Sequence, residues 1–324
     1  MRVIAELGIR SRCGLLLGTA AVVFATVACD GADGKLDAVR AFAQGAGTAA
    51  PVFAAVANDY YGACVRTYNW EYGALPDTEK LRFQPVEDWC GPTSAPAPPG
   101  SSAPPPPPWH PFEGARQWQK TNDVLLAYLK GLGDLAAGQA NDYGIPHFVD
   151  DIVRINNQTH WFNLDPGSAA TVKNFGVWIA QTYFAAKRKA AIADVLPAAD
   201  PYVQDLTRGL AEIATKHYKN EALFSEGTAL NKFYMTTHDP GQPPPSLADR
   251  VQWMHDRQIL AERYVAVDGY VDALDKIAKA HAGLVKVFSA GAAAYPAERD
   301  NLFAEFERDI VVLAHAYAGD GGTK

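Results

Sequence analysis

The sequence predicts an all-α fold, in the form of an elongated antiparallel bundle of long helices. Most of the 324 residues lie in alanine-rich stretches whose apolar side chains recur three and four positions apart, which is the spacing of one helix face. The alternating runs that are typical of strands are nearly absent. A proline-rich loop over residues 91–111 separates the first and second predicted helices. We therefore expect long helices packed side by side, with this loop joining two of them.

The first element along the chain is an export segment. Residues 1–12 contain three arginines and one glutamate, and residues 14–28 contain no charged side chain. An uncharged run of about fifteen residues spans roughly 22 Å as a helix, which is less than the roughly 30 Å of membrane hydrocarbon. Residues 1–28 are therefore predicted to be a cleaved signal peptide.

The cleavage site resembles the lipobox of bacterial lipoproteins. The uncharged run ends Thr26-Val27-Ala28-Cys29, with Thr26 where that family most often has leucine, and Asp30 follows. In that family the cysteine becomes the first mature residue and carries lipid, including fatty-acyl chains such as palmitate. The resemblance implies an exported protein that is anchored through Cys29 to the cell membrane. In a Gram-negative host it would face the periplasm, and Asp30 favours the inner membrane. An ordinary signal-peptidase site, with Cys29 as a free thiol, is the alternative.

The mature chain would then consist of a lipidated tether, residues 29–34, and one helical bundle domain, residues 35–324. Cys13 leaves with the signal and Cys29 takes the lipid, so Cys64 and Cys90 remain. An exported protein commonly joins such a pair. A disulfide closing about 27 residues would stabilise the fold by roughly 3–4 kcal/mol. Two separate buried thiols are the alternative.

The first long helix is predicted over residues 35–68, and Pro51 is expected to kink or split it. Its apolar side is formed by Leu36, Val39, Phe42, Ala46, Phe53, Val56, Tyr60 and Cys64. The proline-rich loop that follows is predicted to be extended, because prolines supply no backbone donors. We favour a spacer that lets the chain travel along the bundle over a ligand for proline-recognising partners.

Three further helical stretches are predicted next, over residues 113–139, 148–155 and 168–195. The first of them carries Trp118, Leu125, Leu129 and Leu132 on one side. Between the second and third, the apolar residues Trp161, Phe162 and Leu164 are expected to plug the bundle, or else to form a contact patch. Pro197 and Pro201 are expected to form a turn into the following helix.

The last three predicted helices cover residues 200–237, a stretch that begins at Ser246, and a stretch after Pro296. The first has Val203, Leu206, Leu210, Ile213, His217, Phe224 and Thr228 in register. Ser246 is the expected cap of the second helix, whose stripe is Trp253, Leu260, Tyr264, Val267, Val271, Leu274, Ala278, His281, Val285 and Phe288. The third would bury Leu302, Phe306, Ile310, Leu313 and Tyr317. Over the mature chain this general pattern resembles the elongated helical lipoproteins of bacterial envelopes.

Charge argues against a nucleic-acid partner. The chain has a formal charge of −7, and removing the signal, which contributes +3 from arginine and −1 from glutamate, leaves −9. The basic run Lys187-Arg188-Lys189 is short and lies on a predicted helix. Binding to phosphates needs a concentrated basic face, which this sequence does not provide.

The polar positions of most interest are His217, Glu221 and His281. His217 and Glu221 are one helical turn apart, and both histidines fall on otherwise apolar stripes. Helical bundles build ligand and metal sites from such side chains, so these residues are a candidate ligand-binding site. Buried histidines that are paired with Glu221, Tyr218 or Tyr264 are the favoured alternative. We expect no metal and no cofactor, because the sequence lacks the Glu-x-x-His set of a di-metal bundle.

No catalytic motif stands out. The chain lacks a Gly-x-Ser-x-Gly elbow, and its glycine clusters lack the strand and helix that flank a phosphate loop. The sequence therefore predicts a non-enzymatic, membrane-anchored envelope protein that acts through protein contacts or as a spacer. The alternative is a bundle that binds a small ligand or metal through His217, Glu221 and His281.

Overall fold

The computed structural model describes residues 32–80, 85–91, 111–138, 190–236 and 246–290, together with Arg308. Within these ranges all regular structure is helical and there is no strand, so the all-α prediction is confirmed. The elements are α1 (Ala32–Ala74), α2 (Asp77–Lys80), α3 (Val86–Cys90), α4 (Pro111–Ala136), α5 (Ala190–Glu212), a π-helix π1 (Ile213–Leu223), α6 (Phe224–Thr236) and α7 (Leu247–Ala290).

Helix α1 has 43 residues and extends beyond both predicted ends. All eight side chains of its predicted stripe are buried. Of the kink or split expected at Pro51, the split is wrong, because the helix continues through this residue. Pro51 lies on the exposed side, while Val52, Phe53 and Val56 on the other side keep the chain packed against the core.

Helix α4 packs against α1 through its predicted stripe, of which all four residues are buried. The two helices approach closely at Gly133, where an added Cβ would lie 2.4 Å from the Cβ of Ala43. A disulfide joins Cys64 of α1 to Cys90 of the short helix α3, with an S–S distance of 2.08 Å. The predicted pairing of these cysteines is therefore present, and it holds α3 against α1.

Residues 190–236 form one continuous rod made of α5, π1 and α6. The predicted turn at Pro197 and Pro201, and with it the helix boundaries at 195 and 200, is wrong, since both prolines lie inside α5. Both are exposed, so their missing amide hydrogens fall on the outer side of the helix. The buried stripe runs past them without a break, through Ile192, Val195, Leu196, Ala199 and Val203.

The π-helix changes which residues after it face the core. A π-helix closes its hydrogen bonds one residue later than an α-helix, so its eleven residues rotate the chain that follows. The predicted burial of Phe224 and Thr228 is wrong, because Phe224 is 66% exposed and Thr228 is exposed as well. Glu226 is buried in their place.

Helix α7 has 44 residues and begins at the predicted cap. The Ser246 hydroxyl accepts a hydrogen bond from the Asp249 amide at 3.1 Å, and the Asp249 carboxylate accepts one from the Ser246 amide at 3.1 Å. This reciprocal pair is a capping box. The buried side of α7 differs in part from the predicted stripe, since Trp253 and Val271 are only half-buried while Tyr270 is fully buried.

The long elements alternate in direction. Asn122 of α4 contacts Phe53 of α1, and Arg40 of α1 contacts Ala136 of α4, so these helices are antiparallel. Lys35 at the start of α1 donates to the carbonyl of Val287 near the end of α7, at 2.9 Å. The rod of residues 190–236 runs parallel to α1, because Glu226 contacts Arg66 and Lys232 contacts Glu71, farther along both elements. Among the described helices, none combines the length and the apolar character needed to cross a membrane.

Several predictions concern residues outside the described ranges. These are the signal peptide, the lipobox at Cys29 with Asp30, and nearly all of the proline-rich loop. The same holds for the helix over residues 148–155, most of the helix over residues 168–195, and the helix after Pro296. The apolar residues Trp161, Phe162 and Leu164 also lie outside the described part of the chain.

Candidate functional site

His217 and Glu221 lie on π1 and contact each other. His217 Nδ1 is 2.9 Å from Glu221 Oε2, and His217 is buried while the Glu221 side chain is half-exposed. The four-residue spacing that suggested this pair therefore brings the two side chains together, and the carboxylate reaches the surface.

His281 belongs to a second polar group, with Asp200 of α5 and Tyr128 of α4. His281 Nδ1 lies 2.8 Å from Asp200 Oδ1, and Nε2 lies 2.7 Å from the Tyr128 hydroxyl. Because an ionised carboxylate only accepts, Nδ1 donates to Asp200, and Nε2 of a neutral ring then accepts from Tyr128. The hydrogen bond from His281 lowers the pKa of Asp200, which burial alone would raise.

The structure does not bring His217 and His281 together. Asp200, which contacts His281, and His217 are 17 residues apart on one continuous rod, which corresponds to roughly 25 Å along its axis. The candidate ligand site of His217, Glu221 and His281 is thus divided between two places. Of the three alternative partners expected for buried histidines, Glu221 contacts His217, whereas His281 contacts Tyr128 and Asp200 instead.

A cluster of four charged side chains, which we call the ion cluster, joins α1, α6 and α7. Arg66 forms two hydrogen bonds with Asp59, at 2.7 and 2.9 Å, and two with Glu226, at 2.7 and 3.0 Å. Arg263 Nη1 lies 3.2 Å from Glu226 Oε1, and its Nε lies 3.5 Å from Asp59 Oδ2. With both carboxylates ionised, two negative charges balance two positive charges.

The electrostatics of the ion cluster differ between its two carboxylates. Burial raises the pKa of Asp59, but Arg66, Arg263 and a hydrogen bond donated by Tyr218 of π1 outweigh burial and hold this pKa below its ordinary value. Burial also raises the pKa of Glu226, and there the two arginines offset it only in part. Glu226 and Arg263 side chains are each 4% exposed, so the cluster is a core element.

A neutral network lies beside the ion cluster. Trp118 Nε1 donates to the Tyr270 hydroxyl at 2.9 Å, Tyr270 donates to Asn122 Oδ1 at 2.6 Å, and Asn122 Nδ2 donates to the Phe53 carbonyl at 3.1 Å. The Trp118 ring also meets that of Tyr218 edge-on, with centroids 5.7 Å apart. These polar groups bond one another inside the core, as buried groups must.

The ion cluster was not predicted from the sequence. Asp59 and Arg66 are seven residues apart, so they share one face of α1, and Asp59 directly precedes Tyr60 of the predicted buried stripe. That spacing was the signal that could have revealed this pair. No such signal exists for Glu226, because only the π-helix turns it inward.

Six residues in the first half of α7 form an exposed row, which we call the exposed seam. They follow one another at intervals of four, three, four, three and four positions and are Leu247, Val251, Met254, Gln258, Ala261 and Val265. All six are exposed, Leu247 to 71% and Met254 to 60%. Four of the six are large apolar side chains that face solvent along one helix.

Among the described residues, no group of three or more histidine, cysteine, aspartate or glutamate side chains is arranged to hold a metal ion. The polar centres of the core are instead built from pairs and mixed clusters that bond one another. No protein-family model, curated protein or solved structure matches this chain.

Proposed function

We propose that the protein is an exported, lipid-anchored lipoprotein of the bacterial envelope that acts without enzymatic chemistry, through a protein contact made by the exposed seam. The observation that carries this proposal is the row of exposed apolar side chains on α7. Contiguous apolar surface of this kind is typical of an interaction site. The sequence around Cys29 supports the anchor, and Asp30 favours the inner membrane of a Gram-negative host.

The arrangement of α1 and α7 supports this combination of anchor and contact. Helix α1 begins at Ala32, three residues after Cys29, and the contact between Lys35 and Val287 brings the end of α7 to the same place. The 44 residues of α7 correspond to about 65 Å if the helix is straight. A lipid on Cys29 would therefore leave the exposed seam at the end of the bundle that faces away from the membrane.

The polar centres support a contact function over a ligand-binding one. The His217–Glu221 pair and the His281 group are separate, and the ion cluster is filled by its own four side chains. The alternative of a small-ligand or metal site at His217, Glu221 and His281 would need these groups to converge. We therefore develop the contact function.

Two measurements test the proposal. The Cys29→Ala variant should lose its lipid and move from the membrane fraction to the soluble fraction, and continued membrane association would contradict the anchor. A photo-crosslinking amino acid at Met254 should give a specific protein adduct in native envelopes. Asp272, an exposed position farther along α7, is the matched control. Equal labelling at both positions would contradict a contact at the exposed seam.

A further inference from the structure

The first half of α7 has two different faces. On the inner face, Asp256 accepts a hydrogen bond from Tyr234 of α6 at 3.0 Å, and Leu260 lies against Gly227. The exposed seam runs along the opposite side. Between Ser246 and Glu262, no residue is buried. This part of α7 is therefore held to the bundle on one side and open on the other.

The spacing of the exposed seam is the heptad spacing of a coiled coil. Steps of four and three residues keep one row of side chains on a line that a second helix can follow. In this register Val251, Gln258 and Val265 take the a positions, and Leu247, Met254 and Ala261 take the d positions. The row covers 19 residues, or about 28 Å of helix.

We propose that the exposed seam is one half of a parallel two-stranded coiled coil, whose other half is the exposed seam of a second copy of this chain. The inference rests on the contact surface of the proposed function and names its partner. A self-complementary row can pair with itself around a two-fold axis. The partner helix would cover the side chains that the single chain leaves in water.

Charge selects the parallel orientation. Arg257 takes a g position and Glu262 takes the following e position, and both are exposed. In a parallel pair, Arg257 of each copy lies beside Glu262 of the other, which gives two opposite-charge pairs. In an antiparallel pair with the two seams aligned end to end, g positions face each other, so the two copies of Arg257 would meet. Like charges at that place oppose the antiparallel arrangement.

The two ends and the middle of the exposed seam define its register. Gln258 is its one polar member, and a single polar residue at an a position is a known means of fixing register and strand number. Beyond Val265 the next positions of the row are Asp268, which is paired with Lys219 of π1, and the exposed Asp272. Asp268 is held by its own bundle and two copies of Asp272 would repel each other, so the helices separate there and each continues into its own bundle.

The parallel orientation also agrees with the anchor. If both copies point the same way along α7, both starts of α1 lie at the same end of the dimer. Two lipids on Cys29 can then enter one membrane. An antiparallel dimer would place the two anchors at opposite ends.

Disulfide trapping tests the orientation. In a parallel pair Val251 faces Val251 of the other copy. In an antiparallel pair with the two seams aligned, Val251 faces position 261 of the other copy, which is ten residues, or roughly 15 Å, along the helix from Val251 of that copy. We expect the Val251→Cys variant, oxidised in native membranes and run without reductant, to give a dimer band that the wild-type chain lacks. The control is Gln252→Cys, also exposed but turned off the row, which should stay monomeric. A Val251→Cys chain that stays monomeric as well would overturn the proposal.

A charge reversal provides the second test. Arg257→Glu or Glu262→Arg alone should weaken dimerisation by about tenfold, the order expected for two symmetric exposed charge pairs, measured by sedimentation of the detergent-extracted full chain. Both changes together should restore it. Loss without restoration would contradict the parallel pairing. If the crosslinker at Met254 captures a different protein while all chains sediment as monomers, this inference fails and the proposed function stands.

Discussion

One continuous rod, residues 190–236, contributes an acidic side chain to each of two buried polar centres, and the two centres differ in charge. Asp200 in α5 contacts one ring nitrogen of His281, whose other ring nitrogen contacts the hydroxyl of Tyr128. Glu226 in α6 meets Arg66 and Arg263, beside Asp59. The first centre contains one carboxylate with a histidine and a tyrosine, whereas the second balances two carboxylates against two guanidinium groups.

The difference between the two centres follows from the local helix type. Asp200 lies on the α-helical part of the rod, where the buried stripe keeps the ordinary spacing even past two prolines. Glu226 comes just after π1, which turns it inward and turns Phe224 outward. A continuous α-helix would present Phe224 to the core. The ion cluster therefore depends on the π-helix, and the centre at Asp200 does not.

The largest effect is expected from Glu226→Gln. This change leaves Arg66 and Arg263 with Asp59 as the one carboxylate of the ion cluster, so one positive charge is buried without compensation. Breaking a buried ion pair in this way costs about 3–5 kcal/mol of the free energy of unfolding. Urea denaturation at neutral pH, followed by circular dichroism, measures it.

The control for that change is Glu221→Gln on the same rod. The Glu221 side chain is 39% exposed and contacts His217, so its loss should cost about 1 kcal/mol or less. Equal costs for the two variants would show that the ion cluster does not depend on charge balance.

The next largest effect tests the register after π1 directly. Leu223 is fully buried, so Leu223→Ala should lower the free energy of unfolding by about 2–5 kcal/mol. Phe224→Ala removes a larger side chain that is mostly in water, and should change it by about 0.5 kcal/mol or less. Thermal and urea unfolding of the two variants compare them. The reverse order would mean that the rod is an ordinary α-helix through this region.

Among the described residues, sequence periodicity predicted most of the helical structure because most of these helices are regular α-helices. The stripes of α1 and α4 were predicted residue by residue, and Ser246 was placed correctly as the cap of α7. The turn at Pro197 and Pro201 was wrong because a proline on the exposed side of a helix removes a hydrogen bond without ending the buried stripe. The presence of a proline in the sequence does not indicate whether it lies on the exposed or the buried side of the helix.

The polar centres were harder to predict than the fold. Spacing along one helix predicted the His217–Glu221 pair, because both residues lie on the same helix. The same kind of spacing could also have predicted the pair of Asp59 and Arg66. The contacts of His281 with Asp200 and Tyr128, and of Arg66 with Glu226, join different helices. These contacts depend on how the helices are rotated relative to one another. The position of Glu226 depends also on a π-helix that no pattern in the sequence predicted.

The smallest expected effect concerns the pH dependence of the centre at Asp200. The hydrogen bond from His281 holds the pKa of Asp200 below its ordinary value of 3.8, so folding favours the ionised carboxylate. The stabilisation is therefore complete above that ordinary value, and it is lost as the pH falls through the lower pKa of the folded state. Asp200→Asn keeps an oxygen that can accept from His281 and removes the titration.

Comparing the two chains across acid pH isolates this contribution. The free energy of unfolding of the wild-type chain should fall more steeply than that of Asp200→Asn between ~pH 5 and ~pH 2, by a total of about 1 kcal/mol or less, since Asp200 is partly exposed. Urea titrations at intervals of pH measure both slopes. Parallel slopes would mean that His281 does not favour the charged form of Asp200, and the contrast between a titrating centre at Asp200 and a charge-balanced centre at Glu226 would disappear.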